Sequence, residues 1–509
     1  MGSPFWMRDG FNAGETSVSS LTCYAFTLAQ WSVSDACDFR GTRLGIVRPF
    51  SAPRPLRATA VGRMLSMIDT KQYVIKQIEE RDIRFLRLWF VDILGNLKNI
   101  AITPSDIDTA FEEGIGFDGS SIDGLACVQD SDMLAHPEPS TFQVLPWRPS
   151  NNGVARMFCD IYTPDGEPAR ADSRHILMKM LKKASSLGYA VNVGTAVEYF
   201  CFKDSMSPDP IDRGGYFDLA PLDDAADLRR DTVLTLEQMG IPVEYSHHEA
   251  APAQQEIDLR YCDALAAADA VITARLVIKE TAYAQGLHAT FMPKPLEGCP
   301  GSAMHVHQSL FDEEGNAFFD MNDPDGYGLS SAAKMYIAGL LKYAPEYMLV
   351  TNQFVNSYKR FVPDLDAPLH ACWGQANRSA MVRVPRYKPT KGSSTRVEVR
   401  SVDSAANPYL AFAVMIGAGL RGMEEGLELP APVLKNAFAL SSSEREEMGL
   451  VPLPSDLSRA VDAFEQSELM REVLGDSVHS YLVKTKRAEW EEYRAHVTSW
   501  EIDRYLATL

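Results

Sequence analysis

Gly301-Ser-Ala-Met-His-Val-His-Gln-Ser309 is the stretch on which the fold turns. Side chains alternate along an extended strand, so residues two apart share a face. Read as a strand, this stretch sets His305, His307 and Ser309 on one face. Thr395-Arg-Val-Glu-Val-Arg400 reads the same way, with Arg396, Glu398 and Arg400 projecting together and Val397 and Val399 turned to the other side. A buried Arg-Glu-Arg row is costly unless it meets something charged. Two such rows predict a metal-and-phosphate site built on β-strands and acting on an anionic substrate.

Composition sets the frame around these strands. The 509 residues are 46% hydrophobic, enough for a large core and for two or more domains. Basic residues number 49 and acidic ones 68, a net charge of -19 that argues against nucleic-acid binding. The eight cysteines form no CxxC pair, so neither a disulfide framework nor a zinc ribbon is indicated, and a reducing, cytoplasmic compartment fits. The apolar run Leu410–Leu420 is too short to cross a bilayer and reads as a core helix, so no membrane association is expected. Residues 1–66 differ from the rest, with seven Arg, no Lys and four acidic residues. Either a transit peptide or an upstream extension, with Met64 or Met67 as the start, accounts for them. The lack of an amphipathic period favours the extension, and the segment is set apart from the fold.

From there the chain alternates strands and helices. Helical spacing covers 69–79. Strands are expected at Phe85–Val91, Asn96–Ile102 and Val154–Tyr162, with a helix at Pro104–Glu113, forming a small α+β unit over 67–168. A larger unit, 171–509, carries predicted helices at Ser173–Leu187, Asp223–Met239, Cys262–Gln285, Ser330–Tyr343 and Pro408–Glu424, and is helical almost throughout after Ser455. A long strand at Ala190–Phe202 and one polar strand at Glu244–Leu259 lie among them. This mixture predicts α+β rather than a doubly wound sheet.

Three groups of residues carry chemistry. Glu198 is isolated in an apolar strand pattern. With Glu249, Glu256, His305 and Glu398 it makes a hard-metal set suited to Mg²⁺ or Mn²⁺. Surface charge in ordinary hairpins is the competing reading, and spacing alone leaves both open. Arg360, Arg378, Arg383, Arg396 and Arg400 form the second group; guanidinium forks match carboxylate and phosphate oxygens, though at least one of the five should be a structural ion pair. The third is Gly116-Phe-Asp-Gly-Ser-Ser121, whose Asp118 is either a base or an ordinary Asx turn. His247 and His248 by themselves read as packed polar residues. No P-loop or dinucleotide fingerprint occurs.

Taken together, the chain from about Met67 to Leu509 resembles glutamine synthetase, type I, of the shorter bacterial alpha kind. The resemblance is carried by Phe117-Asp-Gly-Ser-Ser121, Ser131-Asp-Met133, Gly214-Gly-Tyr-Phe217, His247-His-Glu249, Ala289-Thr-Phe-Met-Pro-Lys-Pro295, Met304-His-Val-His307, Asn356-Ser-Tyr-Lys-Arg360, Asn377-Arg-Ser379, Arg396-Val-Glu-Val-Arg400 and Ala406-Asn-Pro-Tyr409, in that order. It implies a β-grasp N-terminal domain, a catalytic domain with a curved antiparallel sheet and flanking helices, and a dodecamer with active sites between subunits. It further implies ATP-dependent ligation of glutamate and ammonia through γ-glutamyl phosphate. Glu198, Glu249 and Glu256 would hold one metal, and His305 and Glu398 the other. Arg360, Arg400 and Gly301 would bind glutamate, and Arg378, Arg383 and Arg396 would face the phosphates. His307 and Ser309 would line the nucleotide pocket. Asp118, from the adjacent subunit, would deprotonate ammonium near Tyr216, Ser121 and Glu249, with Asp366 closing the amine pocket.

The chain departs from this pattern in places. Ala196 stands where the family strand carries a second carboxylate, which weakens the second metal site. Asp366 replaces a Glu and opens space for a larger amine, so a γ-glutamyl ligase for a polyamine or ethanolamine is the alternative, with a catalytically weakened relative as the third. Pro300 replaces an Asn beside Gly301. Phe438 replaces the Tyr that is adenylylated in some relatives, and Cys127 a feedback-sensing Arg, so no adenylylation and weak glutamine feedback are expected.

Overall fold

In the computed structural model, residues 60–124, 131–149, 151–363, 365, 367–386 and 392–509 are described, apart from the side chains of 60–69 and 393. Asp366 and Cys127 lie outside the described residues. Residues 59–509 form one compact unit.

The unit is built on two mixed sheets. β1 (Ile83–Val91), β2 (Leu97–Ile102), β3 (Ile115–Asp118), β4 (Asp132–Pro137), β5 (Gln143–Val144) and β6 (Gly153–Tyr162) make the smaller one, in the order β2-β1-β6-β4-β3 with β5 beside β6. β1 and β6 run parallel at its centre, while the other pairs are antiparallel. Leu86, Leu88 and Trp89 of β1 and Met157 and Phe158 of β6 are buried, as expected of central strands. A helix over Ala60–Glu80 precedes β1, so the helical segment begins inside the stretch set apart at 1–66. The Asp118–Ser120 turn has the Asx form, with the Asp118 carboxylate accepting from the Ser120 amide at 2.8 Å.

The larger sheet follows. β7 (Ala190–Phe202), β8 (Val243–His248), β9 (Gln254–Asp263), β10 (His288–Thr290), β11 (Met304–Phe311), β13 (Trp373–Gln375), β14 (Val382–Val384) and β15 (Val397–Val399) take the order β13-β14-β15-β11-β7-β9-β8, with β10 beside β7. β12 (His370–Ala371) pairs with β16 (Val451–Pro452) apart from it. All pairs in the larger sheet are antiparallel except β13 and β14. The single polar strand expected at Glu244–Leu259 is instead the hairpin β8–β9, turning at residues 249–253, where Ala253 takes φ 59°. Alternation alone does not mark a turn that lacks Gly or Asn.

Helices close the back of this sheet. The Pro408–Glu424 helix is buried along nearly its whole length. Asn407 caps it through the Tyr409 and Leu410 amides, a contact of about 1 kcal/mol. The same Asn407 donates to the Asp92 and Ile93 carbonyls, so the helix start is tied to the turn after β1. Arg174 adds a second tie, bonding both Asp160 at the end of β6 and Asp269 in the Ala264–Ala284 helix. These polar links fix the smaller sheet against the larger one.

Candidate active site

Register across the larger sheet assembles the site. Glu198 of β7 faces Glu256 of β9, which faces His247 of β8. One pleat along, Ala196 lies between Asp258 of β9 and His305 of β11. His307 pairs with Glu398 of β15, and Glu398 with Arg383 of β14. Residues far apart in sequence thus share one face, and over them opens a cavity of about 400 Å³, the size of a small-molecule site. Glu249, Gly301, Arg360, Arg378, Arg396 and Arg400 also reach its wall, as do Tyr216 and Ala196.

One side of the cavity is acidic. Glu198, Glu249 and Glu256 bring ligand oxygens within 4.8 Å of one another. Glu198 Oε2 accepts from Gln254 Nε2 and the Ala303 amide, both at 3.0 Å, while Oε1 lies 3.5 Å from His305 Nε2. Burial, with the Glu249 charge adding to it, pushes the Glu198 carboxyl up to about 8. Burial and the Glu198 and Asp258 carboxylates move Glu256 well above the ordinary range. Several buried carboxylates crowded this way lack positive charge, which a hard divalent cation supplies. The same side holds His247, 3.6 Å from Glu256. His248 is the packed residue its sequence context predicts, buried and bonded to Asp212 at 3.1 Å.

The other side is a guanidinium wall. Arg383 Nη1 and Arg400 Nη1 donate to the two oxygens of Glu398 at 2.5 and 2.8 Å. Burial opposes ionisation of Glu398, but the Arg400 and Arg383 guanidinium groups outweigh it and hold the group far below the usual carboxylate range. His305 lies between the two sides, its Nδ1 3.9 Å from Glu398. Burial, chiefly, keeps His305 and His307 neutral, with His307 lowered to about 4. A neutral imidazole is the form that binds a metal. Arg396 donates to His307 Nδ1 at 3.2 Å. Arg360 is anchored by Asp403, so one of the five arginines does carry a structural ion pair. At Gly301 a side chain would strike the Pro293 carbonyl and come within 2.8 Å of Arg360 Cγ; only glycine fits there.

Three expected residues do not reach the cavity wall. Ser309 is 2% exposed and donates to the Thr395 carbonyl at 2.9 Å, so its place on the His305–His307 face does not make it a lining residue. Asp118 and Ser121 sit on the smaller sheet and the turn after it, exposed and away from the cavity of their own chain. In contrast, Tyr245, Gln254, Asp258 and Arg386 line the cavity without having been singled out by sequence. The β8–β9 hairpin brings in the first three, and alternation from Glu256 was the one signal that reached Asp258.

Family models place these geometries. The model described as glutamine synthetase, beta-Grasp domain, matches residues 82–164, and that described as glutamine synthetase, catalytic domain, matches 170–505. The chain is 55% identical to the glutamine synthetase of Mycolicibacterium smegmatis over 443 residues, covering 86% of this chain and 99% of that one. The glutamine synthetase of Thermotoga maritima is 44% identical over 441 residues, with 86% and 99% covered. Among solved structures, GmaS without ligand superposes with a TM-score of 0.76 at 31% identity, covering 85% of this chain and 99% of that chain. A GmaS/ADP complex does so with 0.77 at 30%, with the same coverage.

Proposed function

This chain belongs to the glutamine synthetase family and is a glutamate–ammonia ligase, and we propose that it activates glutamate with ATP as γ-glutamyl phosphate and then lets ammonia displace phosphate. One observation carries this reading. Three cation-hungry carboxylates and six arginines, from strands and loops spread over more than two hundred residues, line one cavity.

The chemistry divides along the two sides. Glu198, Glu249 and Glu256 would hold one Mg²⁺ or Mn²⁺, and His305 and Glu398 a second. Bound there, such ions would neutralise the ATP phosphates and orient the γ-phosphate towards the glutamate carboxylate. Arg360 and Arg400 are steadied by Asp403, Ser401 and the Arg378 carbonyl. Their remaining donors suit the glutamate carboxylate, beside the Gly301 backbone. Arg378, Arg383 and Arg396 would meet charge that grows on the transferring phosphoryl group. His307 lies where a nucleotide phosphate would approach. Phosphorylation is needed because a carboxylate oxygen is a poor leaving group and phosphate a good one.

The amine half needs a second subunit. Asp118 and Ser121 are exposed and off their own cavity, while Tyr216 lines it. Asp118 can act as general base on ammonium only if it enters a neighbour's cavity. We therefore infer a homo-oligomer with shared sites, in the stacked double ring of the family, acting in the cytoplasm. Exposed Val497, Trp500, Leu506 and Leu509 at the C-terminus offer apolar area for such contacts. Asp366 would close the amine pocket.

Purified protein, ATP, glutamate and saturating Mg²⁺ or Mn²⁺, assayed for ADP release against ammonium, methylamine, ethanolamine and putrescine, tests the reading. Ammonium should be preferred at least tenfold in kcat/KM. A larger amine turned over faster would replace ammonia as the substrate.

A further inference from the structure

The β8–β9 hairpin gathers a second group of ligand atoms beside the three carboxylates of the acidic side. His247 of β8 pairs with Glu256 of β9, and Asp258 stands two residues further along β9 on the same face. All three line the cavity. One ligand atom from each lies within 4.8 Å of the other two. His247 Nε2 is 3.6 Å from Glu256 Oε2. Atoms bound to one cation by bonds of roughly 2.0–2.6 Å stand about 3–5 Å apart, from neighbouring to opposite vertices, so these three meet the spacing of a single ion. Glu256 belongs to the Glu198–Glu249 group as well, and its two oxygens allow it to serve both.

We propose that His247, Glu256 and Asp258 bind a third divalent cation, bridged through Glu256 to the one held by Glu198 and Glu249. The bridge rests on the reading of the first metal site above. Two independent observations point to a ligand. Asp258 is 7% exposed, and although Tyr245 and Glu256 hydrogen-bond its carboxyl, its Oδ1 atom is buried with no hydrogen-bond partner among the described residues. A buried carboxylate oxygen without a donor is a costly arrangement that a cation relieves. The second observation is the setting of the imidazole. His247 Nδ1 lies 3.1 Å from the His248 carbonyl. A carbonyl only accepts, so Nδ1 carries the proton and the neutral ring turns its Nε2 lone pair towards Glu256. Metal-binding imidazoles are commonly fixed in this way, by an acceptor on the far nitrogen. The group Asp212, Asp223 and His248 makes the contrast. There Asp212 accepts from the Gly214 and Ala253 amides and meets His248, while Asp223 is paired with Arg229, so nothing calls for a cation. One imidazole with two carboxylates suits Mn²⁺ better than Mg²⁺, which takes oxygen ligands and gives up water reluctantly.

Equilibrium Mn²⁺ binding, read by electron paramagnetic resonance of free Mn²⁺ on the full chain without substrates, tests the site. Asp258→Asn should bind one ion fewer per subunit than the unaltered protein, the affinity for that ion falling at least tenfold. His247→Phe, which keeps a ring against Tyr216 and Phe217 but removes the nitrogen, should lose the same ion. Glu198→Gln should lose a different one, so that Glu198→Gln combined with His247→Phe loses two. Equal counts in His247→Phe and the unaltered protein overturn the proposal. Loss of a single ion in the combined variant overturns it as well, since the two groups would then hold one cation between them. His247→Phe carries the test alone if Asp258→Asn does not fold. Because no substrate is present, the count is independent of turnover. An ion lost in His247→Phe, with no amine consumed by the unaltered enzyme, would sink the proposed reaction and leave this site standing; ammonium ligation with no ion lost would do the reverse.

Discussion

The two sides of the cavity use the same side chain to opposite ends. Glu198 and Glu398 are both buried glutamates of one sheet, on β7 and β15, the strands that flank β11 and its His305. Glu198 has neighbouring carboxylates and amide donors, and it is pushed up to about 8. Glu398 is clamped by two guanidinium groups and held low. Burial is common to both, so the neighbours decide the charge state. An acidic patch short of positive charge is prepared for a cation, whereas a carboxylate between arginines fixes those arginines for an anion. A site for a metal–phosphate substrate needs both.

Removing a carboxylate should hurt both sides, but through different quantities. Glu256→Gln should lower kcat by about 10²–10³ or more, since electrostatic positioning of the phosphoryl group is lost, while the metal-free protein becomes no less stable. Melting curves in EDTA beside steady-state rates check it; a variant that is destabilised without metal would place Glu256 among structural residues. Glu398→Ala should instead destabilise the metal-free fold by about 3–5 kcal/mol, because Arg383 and Arg400 lose a shared buried partner. Urea denaturation measures this, and a loss under about 1 kcal/mol would show that the arginines find solvent or another acceptor.

pH separates the sides next. Glu198 has a folded value of about 8 against an ordinary 4.5, so the native state holds a proton that the unfolded chain releases. Stability of the metal-free protein should therefore fall as pH rises from about 5 to about 8. Glu398 is shifted the other way: its contribution is present above the ordinary carboxylate range and is lost as pH drops below it. Saturating Mg²⁺ should flatten the alkaline slope, a cation replacing the proton. Melting temperatures at matched pH with EDTA or Mg²⁺ decide it, and identical slopes in both would contradict the acidic-side account. The smallest effect is expected at Ser309→Ala. Its hydroxyl serves the Thr395 carbonyl, so stability should drop by about 1 kcal/mol and the KM for ATP should stay within twofold; a tenfold rise would return Ser309 to the nucleotide pocket.

Much of the site was legible in order along the chain. Period-two alternation gave the shared faces of His305 with His307 and of Arg396 with Glu398 and Arg400, because a strand has one geometry. It misled at Ser309, because a face continues along a strand beyond the end of a cavity. It also merged β8 and β9, whose turn carries no glycine or asparagine. Asp258 escaped notice as one acid among many, since its meaning lies in what stands across from it.

The sequence alone determined the types of chemistry available, the strands that carry them and the family resemblance, because these depend on local periodicity and on motifs in order. Which carboxylate faces which was decided only by the tertiary structure. Strand order sets β7 between β9 and β11, and so brings Asp258, Ala196 and His305 into one row. Cross-strand pairing is a contact between distant segments, and burial together with the charges it gathers sets Glu198 and Glu398 apart.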